Sequence, residues 1–362
     1  MPSTALRQNV ITQARRVVVK LGTNLLIKDG QGVDAAFVAA ISEQIAAFKQ
    51  RGIDVTVVTS GAIGVGCRML DLPGRPTDVS ALQAVASVGQ SGLMSQWHDA
   101  FAPHGLAVAQ MLVTREDFED RDRYLNIRNC ITENDTVSVE EIRFGDNDVL
   151  AALVTNALRA ELLILLTVVP GLKGGDGQVL DIVHDALEAR ALVLDERSAM
   201  GSGGMQTKLE AARIVTDAGE VAVIADGREP GVLRRLLEAE KLGTVFVPAN
   251  RKLDSRSRWI GMTVRPAGSL TVDDGAAKAL TAKGTSLLAI GITEIVGQFE
   301  KGDVVVVRDQ RGRELARGLI NYNAEEARRV MGQRTDAFES LLGRKAYDEV
   351  IHRDNMVVSL PR

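Results

Sequence analysis

The stretch Val17-Val18-Val19-Lys20-Leu21-Gly22-Thr23-Asn24 decides how the rest of the chain is read. Three consecutive β-branched residues predict a buried strand, and the lysine with a glycine close behind it predicts that the strand ends there in a tight turn. In open α/β sheets ligands bind outside the carboxyl ends of the strands. Lys20 is therefore placed to meet an anionic group, with the backbone N–H groups of Gly22 and Thr23 beside it. Taken alone, the stretch is equally compatible with a solvated lysine at a strand end.

Working outward, Asp34 is a candidate N-cap for a helix over 35–50, whose Phe37, Ile41, Ile45 and Phe48 share one face. Residues 53–59 predict a second buried strand, which runs into the glycine turn Ser60-Gly61-Ala62-Ile63-Gly64-Val65-Gly66. The glycine spacing there does not fit the dinucleotide fingerprint, and no P-loop pattern occurs, which argues against a Rossmann dehydrogenase and a Walker NTPase. A long helix over 79–100 and a strand over 106–114 follow.

A dense polar passage from Arg115 to Asn126, readable as a solvated face, leads to Thr132-Glu133-Asn134-Asp135 and then to Gly145-Asp146-Asn147-Asp148. Two such Asp/Asn clusters about a dozen residues apart suit loops and helix caps, and together they suggest a site. A helix over 149–159 and a central strand, Leu162–Thr167, come next. Strands alternating with helices predict an α/β fold with an open, mainly parallel sheet and helices on both faces.

Gly201-Ser202-Gly203-Gly204-Met205-Gln206-Thr207-Lys208 then opens a helix over 209–218. Glycines ahead of a helix N-terminus free backbone N–H groups for a phosphate, and a lysine in the first turn opposes the macrodipole unless an anion sits there. A further strand over 221–225 and a helix after Pro230-Gly231 complete this part. The divisions expected are an N-terminal extension over 1–16, a main domain over 17–248, a basic linker over 249–266, a small β-rich domain over 267–354 and a tail over 355–362.

Composition narrows the function classes. The 362 residues carry a net charge of −4, which supplies no general attraction to nucleic acid or an anionic membrane. In the small C-terminal part, 267–362, fourteen basic residues face fourteen acidic ones, which weighs against RNA binding without excluding a local patch. Cys67 and Cys130 make no disulfide framework, and no Cys/His cluster has zinc spacing. The first sixteen residues lack the apolar core of a signal peptide, and the run from Leu162 to Leu172 is too short to span a bilayer, so a cytoplasmic location is expected.

Lys20 and Lys208 at two glycine-lined turns, Ser60 at a third, and Asp135, Asn147 and Asp148 between them suit phosphoryl transfer, a reaction that needs cations on the transferred group and fixed geometry. In their order and wording, VVVKLGTN, VTSGAIGVG, END…GDND and GSGGMQTK resemble the glutamate 5-kinases of the amino-acid kinase family, and the C-terminal part resembles their appended PUA domain. The resemblance runs from about Val17 to His352. It implies an αβα sandwich and the ATP-dependent phosphorylation of the γ-carboxylate of L-glutamate, the first step of proline synthesis.

Carried over by motif, Lys20 and Lys208 stabilise the transferring phosphoryl group and Asp148 holds both lysines. Ser60, Asp135 and Asn147 bind glutamate, with Asn134 nearby. The ATP side takes Lys20, Gly22, Thr167, Val168 and the run Ser202, Gly203, Gly204, Met205, Gln206, Thr207 and Lys208, with Mg²⁺ bridging the phosphates and no protein metal ligand assigned. A homo-oligomer and a glutamyl phosphate reductase as pathway partner are also implied. The chain departs from the family in joining its NIRN and END motifs through Asn129-Cys130-Ile131 alone and in carrying Val168 where the family has aspartate. Acetylglutamate kinase, aspartokinase and uridylate kinase share the same lysine-glycine logic; an RNA-binding PUA protein and a catalytically silent glutamate or proline sensor are the readings from other classes.

Overall fold

The computed structural model describes residues 3–28, 32–133, 137–141, 147–186, 189, 204–248, 257, 259–343 and 347–358. The chain divides into two compact units, Met1–Lys252 and Leu253–Arg362.

The first unit contains strands β1 (Arg16–Leu21), β2 (Ile27–Lys28), β3 (Gly32–Val33), β4 (Asp54–Val58), β5 (Val108–Leu112), β6 (Val137–Glu141), β7 (Leu162–Thr167), β8 (Ile182–Val183), β9 (Val221–Asp226) and β10 (Thr244–Phe246). Its helices are α1 (Ser3–Ile11), α2 (Thr23–Leu26), α3 (Ala35–Gln50), α4 (Ala62–Met69), α5 (Val79–Phe101), α6 (Arg115–Glu119), α7 (Arg121–Glu133) and α8 (Asn147–Leu158), then α9 (Met205–Asp217) and α10 (Val232–Leu237). Eight strands form one sheet in the order β5-β6-β4-β1-β7-β9-β10-β8. All neighbours run parallel except β9 and β10, so β10 and β8 point against the other six.

The stretch that opened the sequence is thus central: β1 pairs with β4 on one side and β7 on the other. A strand covered on both faces reads as an unbroken apolar run, as in Arg16-Val-Val-Val-Lys-Leu21 and Leu162-Leu-Ile-Leu-Leu-Thr167. Side chains alternate between faces. Val17, Val19 and Leu21 join Val55, Val57, Leu162, Ile164, Val221 and Val223 in a core with α3 and α5. Lys20 therefore faces the other way, onto the side where α8 lies against β1 and β7 and α9 lies against β9.

Asp34 caps α3, its carboxylate accepting from the Phe37 N–H at 3.1 Å, as its position predicts. The turn expected over 60–66 is different in kind. After Gly61, at φ 126°, the chain becomes α4 at once, and its glycines serve helix packing. A Cβ on Gly66 would lie 2.0 Å from the Val85 carbonyl oxygen, and one on Gly89 of α5 would lie 1.9 Å from the Ala62 carbonyl oxygen. The two backbones approach more closely than any side chain allows.

The polar passage also folds differently from expectation. Arg115–Glu133 forms α6 and α7 rather than a loose solvated face, with Phe118 and Tyr124 fully buried. Between the two Asp/Asn clusters, Val137–Glu141 enters the sheet as β6 between β4 and β5. At the start of the chain, Arg7 of α1 is 1% exposed and donates to the Asp181 carboxylate at 2.7 Å and to the carbonyls of Glu240, Leu242 and Gly243 at 3.0, 2.8 and 3.0 Å.

The second unit holds a five-stranded sheet, β12-β11-β13-β14-β15, built from β11 (Gly268–Val272), β12 (Ile292–Gly297), β13 (Val304–Arg308), β14 (Glu314–Leu319) and β15 (Met356–Val358). Its helices are α11 (Asp274–Lys283), α12 (Ala324–Val330) and α13 (Phe338–Leu342). Leu270, Val305, Val307, Ala316, Tyr322 and Phe338 are among its buried core. Trp259–Thr263, within the stretch expected as linker, forms a wide helical turn that packs on β14 and β15 through this unit.

Replacing Gly89 by alanine drives a methyl group into backbone of α4, which cannot yield as a side chain does. A loss of about 1–3 kcal/mol is expected, read as a lower urea midpoint for Gly89→Ala. An unchanged midpoint would show that α4 and α5 separate without cost.

Candidate active site

Three carboxyl ends in the middle of the sheet converge here. β1 delivers Lys20, β4 runs through Thr59 to Ser60, and β7 ends at Thr167. Facing them are two helix starts. Asn147 and Asp148 form the first turn of α8, and Met205 to Lys208 the first turn of α9.

Asp148 ties these together. Its side chain is 0% exposed; Oδ1 lies 2.6 Å from Lys20 Nζ, and Oδ2 lies 3.0 Å from Lys208 Nζ. Burial by itself pushes a carboxyl pKa up, but the two ammonium groups outweigh it, and Asp148 is held below the ordinary carboxylate value. The two lysines are also buried. One carboxylate between two ammonium groups leaves one positive charge in excess, and a helix N-terminus adds to it. The arrangement suits an anion, with two cations whose separation is fixed by the two oxygens of one residue.

The neighbours of Asp148 sharpen its geometry. Thr207 Oγ1 lies 2.9 Å from Asp148 Oδ2, its proton shared with the Gly204 carbonyl at 2.8 Å. Asn147 Nδ2 donates to Ser60 Oγ, so the residue beside the charge centre is linked to the end of β4. Gly204 is the N-cap of α9 and has no side-chain hydrogen bond to offer the first turn. α9 begins four residues earlier than its apolar periodicity predicts, and this places Lys208 within the first turn, buried against Asp148.

Among the residues assigned from sequence, Lys20, Lys208 and Asp148 meet directly, and Ser60 and Asn147 meet beside them. Thr207 lies on Asp148, a contact that the motif alone does not reveal. Met205 and Gln206 occupy the first turn of α9, with Gln206 exposed. Thr167 and Val168 sit half-buried at the end of β7. The Gly22 N–H donates to the Leu166 carbonyl at 3.2 Å, prolonging the β1–β7 ladder. Asn134, Asp135, Ser202 and Gly203 lie outside the described residues. Among the described residues no group of three or more His, Cys, Asp or Glu side chains is arranged to hold a metal ion. No helix among them is long and apolar enough to cross a membrane.

Comparison with known proteins identifies the family. The sequence pattern of the Amino acid kinase family matches residues 15–226, and that of the PUA domain matches residues 268–342. A glutamate 5-kinase of Chromohalobacter salexigens is 43% identical over 374 residues, spanning 98% of this chain and 99% of that protein. One from Pseudomonas aeruginosa is 44% identical over 367 residues, spanning 96% and 99%. Both alignments are longer than the 362-residue chain, so both relatives carry residues that it lacks. Among solved structures, a carbamate kinase of Giardia superposes with a TM-score of 0.50 at 17% identity, covering 65% of this chain and 99% of that one, a likeness of fold. The two lysines on one buried carboxylate thus sit in a chain that belongs to the amino acid kinase family and, within it, to the glutamate 5-kinases.

Proposed function

We propose that the chain transfers the γ-phosphoryl group of ATP to the γ-carboxylate of L-glutamate, giving L-glutamyl 5-phosphate and ADP, the first step of proline synthesis. The observation that carries this reading is the pair Lys20 and Lys208 on opposite oxygens of Asp148, at the carboxyl edge of a kinase-family sheet.

A glutamate carboxylate oxygen bonds to the γ-phosphorus as the bond from that phosphorus to the β,γ-bridging oxygen breaks. The electron pair of the broken bond leaves with ADP. The nucleophile has a pKa of about 4.3 and is already ionised at neutral pH, so no general base is needed. Charge spreads over the equatorial oxygens of the transferred group, and two fixed cations in a dry site stabilise it without reorganising. Asp148 sets their spacing, and Thr207 helps to orient that carboxylate.

Ser60 and Asn147 bind the glutamate, with Asp135 and Asn134; Gly22, Thr167, Val168 and the run from Ser202 to Lys208 form the nucleotide side. A first-turn lysine and an uncapped helix start fit a polyphosphate. Magnesium would supply further neutralisation of the phosphate charge when bound. The product is an acyl phosphate prone to hydrolysis, so a reductase acting on it is the expected partner, and a cytoplasmic homo-oligomer the expected form.

Protein incubated with glutamate, ATP, Mg²⁺ and hydroxylamine is expected to yield γ-glutamyl hydroxamate. Folded wild-type protein that yields none would sink the assignment. Lys208→Ala is expected to lower kcat about a hundred- to a thousandfold, the scale for removing one preorganised charge donor.

Asp148→Asn tests the clamp. Because the native pKa of Asp148 is depressed, its stabilising contribution is fully present above its unfolded value of about 3.9 and is lost as pH falls through the native value. The gap in urea midpoint between wild type and Asp148→Asn should not narrow from pH 8 down to the ordinary carboxylate range and should narrow only below it. A gap already closing between pH 7 and pH 5 would contradict the direction of the shift.

A further inference from the structure

At the end of β7, three successive carbonyls are each held by a donor from a different place. Leu166 O accepts from the Gly22 N–H of the β1 turn at 3.2 Å, and Thr167 O accepts from the Gly227 N–H after β9 at 2.8 Å. With these bonds the sheet ladder ends. Val168 O, one residue further, accepts instead from a side chain, Arg228 Nη2, at 2.7 Å.

That side chain is itself anchored. Arg228 Nη2 lies 2.6 Å from Asp226 Oδ2, and Nε lies 2.9 Å from Asp226 Oδ1, a two-point grip on the carboxylate that ends β9. The Arg228 N–H also donates to Asp226 Oδ1 at 2.9 Å. The guanidinium holds the Asp226 carboxyl below its usual value. Asp226 is 13% exposed and Arg228 63% exposed. An exposed ion pair contributes little to global stability, so the pair calls for another explanation.

Gly227, between them, packs closely against the helix that follows the β1 turn. A Cβ there would stand 2.5 Å from Leu25 Cδ1 of α2, the helix that follows Lys20 and Gly22. The Asp226-Gly227-Arg228 corner therefore fixes the ends of β9 and β7 beside the turn that carries Lys20.

We propose that Arg228 is a positioning residue for the nucleotide: anchored on Asp226, it holds the Val168 carbonyl and fixes Thr167 and Val168 as a rigid edge of the ATP site. The inference rests on the assignment of Thr167 and Val168 to the nucleotide side. Arginine is required because its planar fork reaches a carboxylate and a carbonyl together, which a single ammonium group does not reproduce.

The test uses full-length wild type, Arg228→Ala, Arg228→Lys and Asp226→Asn. Calorimetric titration with Mg-ATP should show Kd raised about tenfold in Arg228→Ala, equivalent to about 1.4 kcal/mol. Lysine should restore only part of the loss. KM for ATP should follow Kd, KM for glutamate should stay within about twofold, and the urea midpoint should hold. Asp226→Asn should weaken ATP binding in the same sense, and the double variant should be no worse than Arg228→Ala, as for two residues acting as one unit.

Unchanged ATP affinity in Arg228→Ala, or equal shifts in both KM values with a lowered urea midpoint, would overturn the positioning role while leaving the kinase assignment intact. Wild-type protein that fails to bind Mg-ATP would bring down the nucleotide assignment and this inference with it. Because titration needs no turnover, the two failures are distinguishable.

Discussion

One buried carboxylate governs the arrangement of this site. Charges withdrawn from water need a partner of opposite sign, and Lys20 and Lys208 are both buried. Asp148 resolves this for the pair by giving each ammonium its own oxygen. The contact also joins three elements remote in sequence, the end of β1 and the starts of α8 and α9. Asn147, one residue back, adds the end of β4 through Ser60. Electrostatic necessity and site geometry are here the same constraint.

The sheet makes this convergence possible. In a parallel arrangement, neighbouring strands deliver their carboxyl ends to one edge, and alternation sends Lys20 to the face that α8 and α9 cover. On the opposite face β1 supplies only apolar contacts. A one-residue slip of β1 would turn Lys20 into that core and Val19 toward Asp148, so the register of a hydrophobic strand fixes the position of a charge.

Much of this was legible in the sequence because each signal was local. Three β-branched residues ahead of Lys20, the cap at Asp34 and the apolar run Leu162–Thr167 fold as they read. Lys208 stood out because its charge opposes the helix it begins. Other features were hidden because their cause lies elsewhere in the chain. Gly64 and Gly66 looked like turn residues, yet Gly66 is explained by Val85 on α5. Arg115–Asn126 looked solvated because its buried residues, Phe118 and Tyr124, are few among many charges. The strand Val137–Glu141 and the short β8 and β10 depend on sheet partners that no local pattern announces. Thr207 reads as one more residue of a glycine-rich turn until Asp148 is seen beside it.

Arg7 shows that a family's shared pattern and a folding unit need not begin at the same residue. The family pattern starts at residue 15, but the guanidinium of Arg7 donates to the Asp181 carboxylate and to four backbone carbonyls around the β10 end of the sheet. Shortening the protein to where the family pattern begins would remove the Arg7 guanidinium from the Asp181 carboxylate and from the carbonyls of Glu240, Leu242 and Gly243.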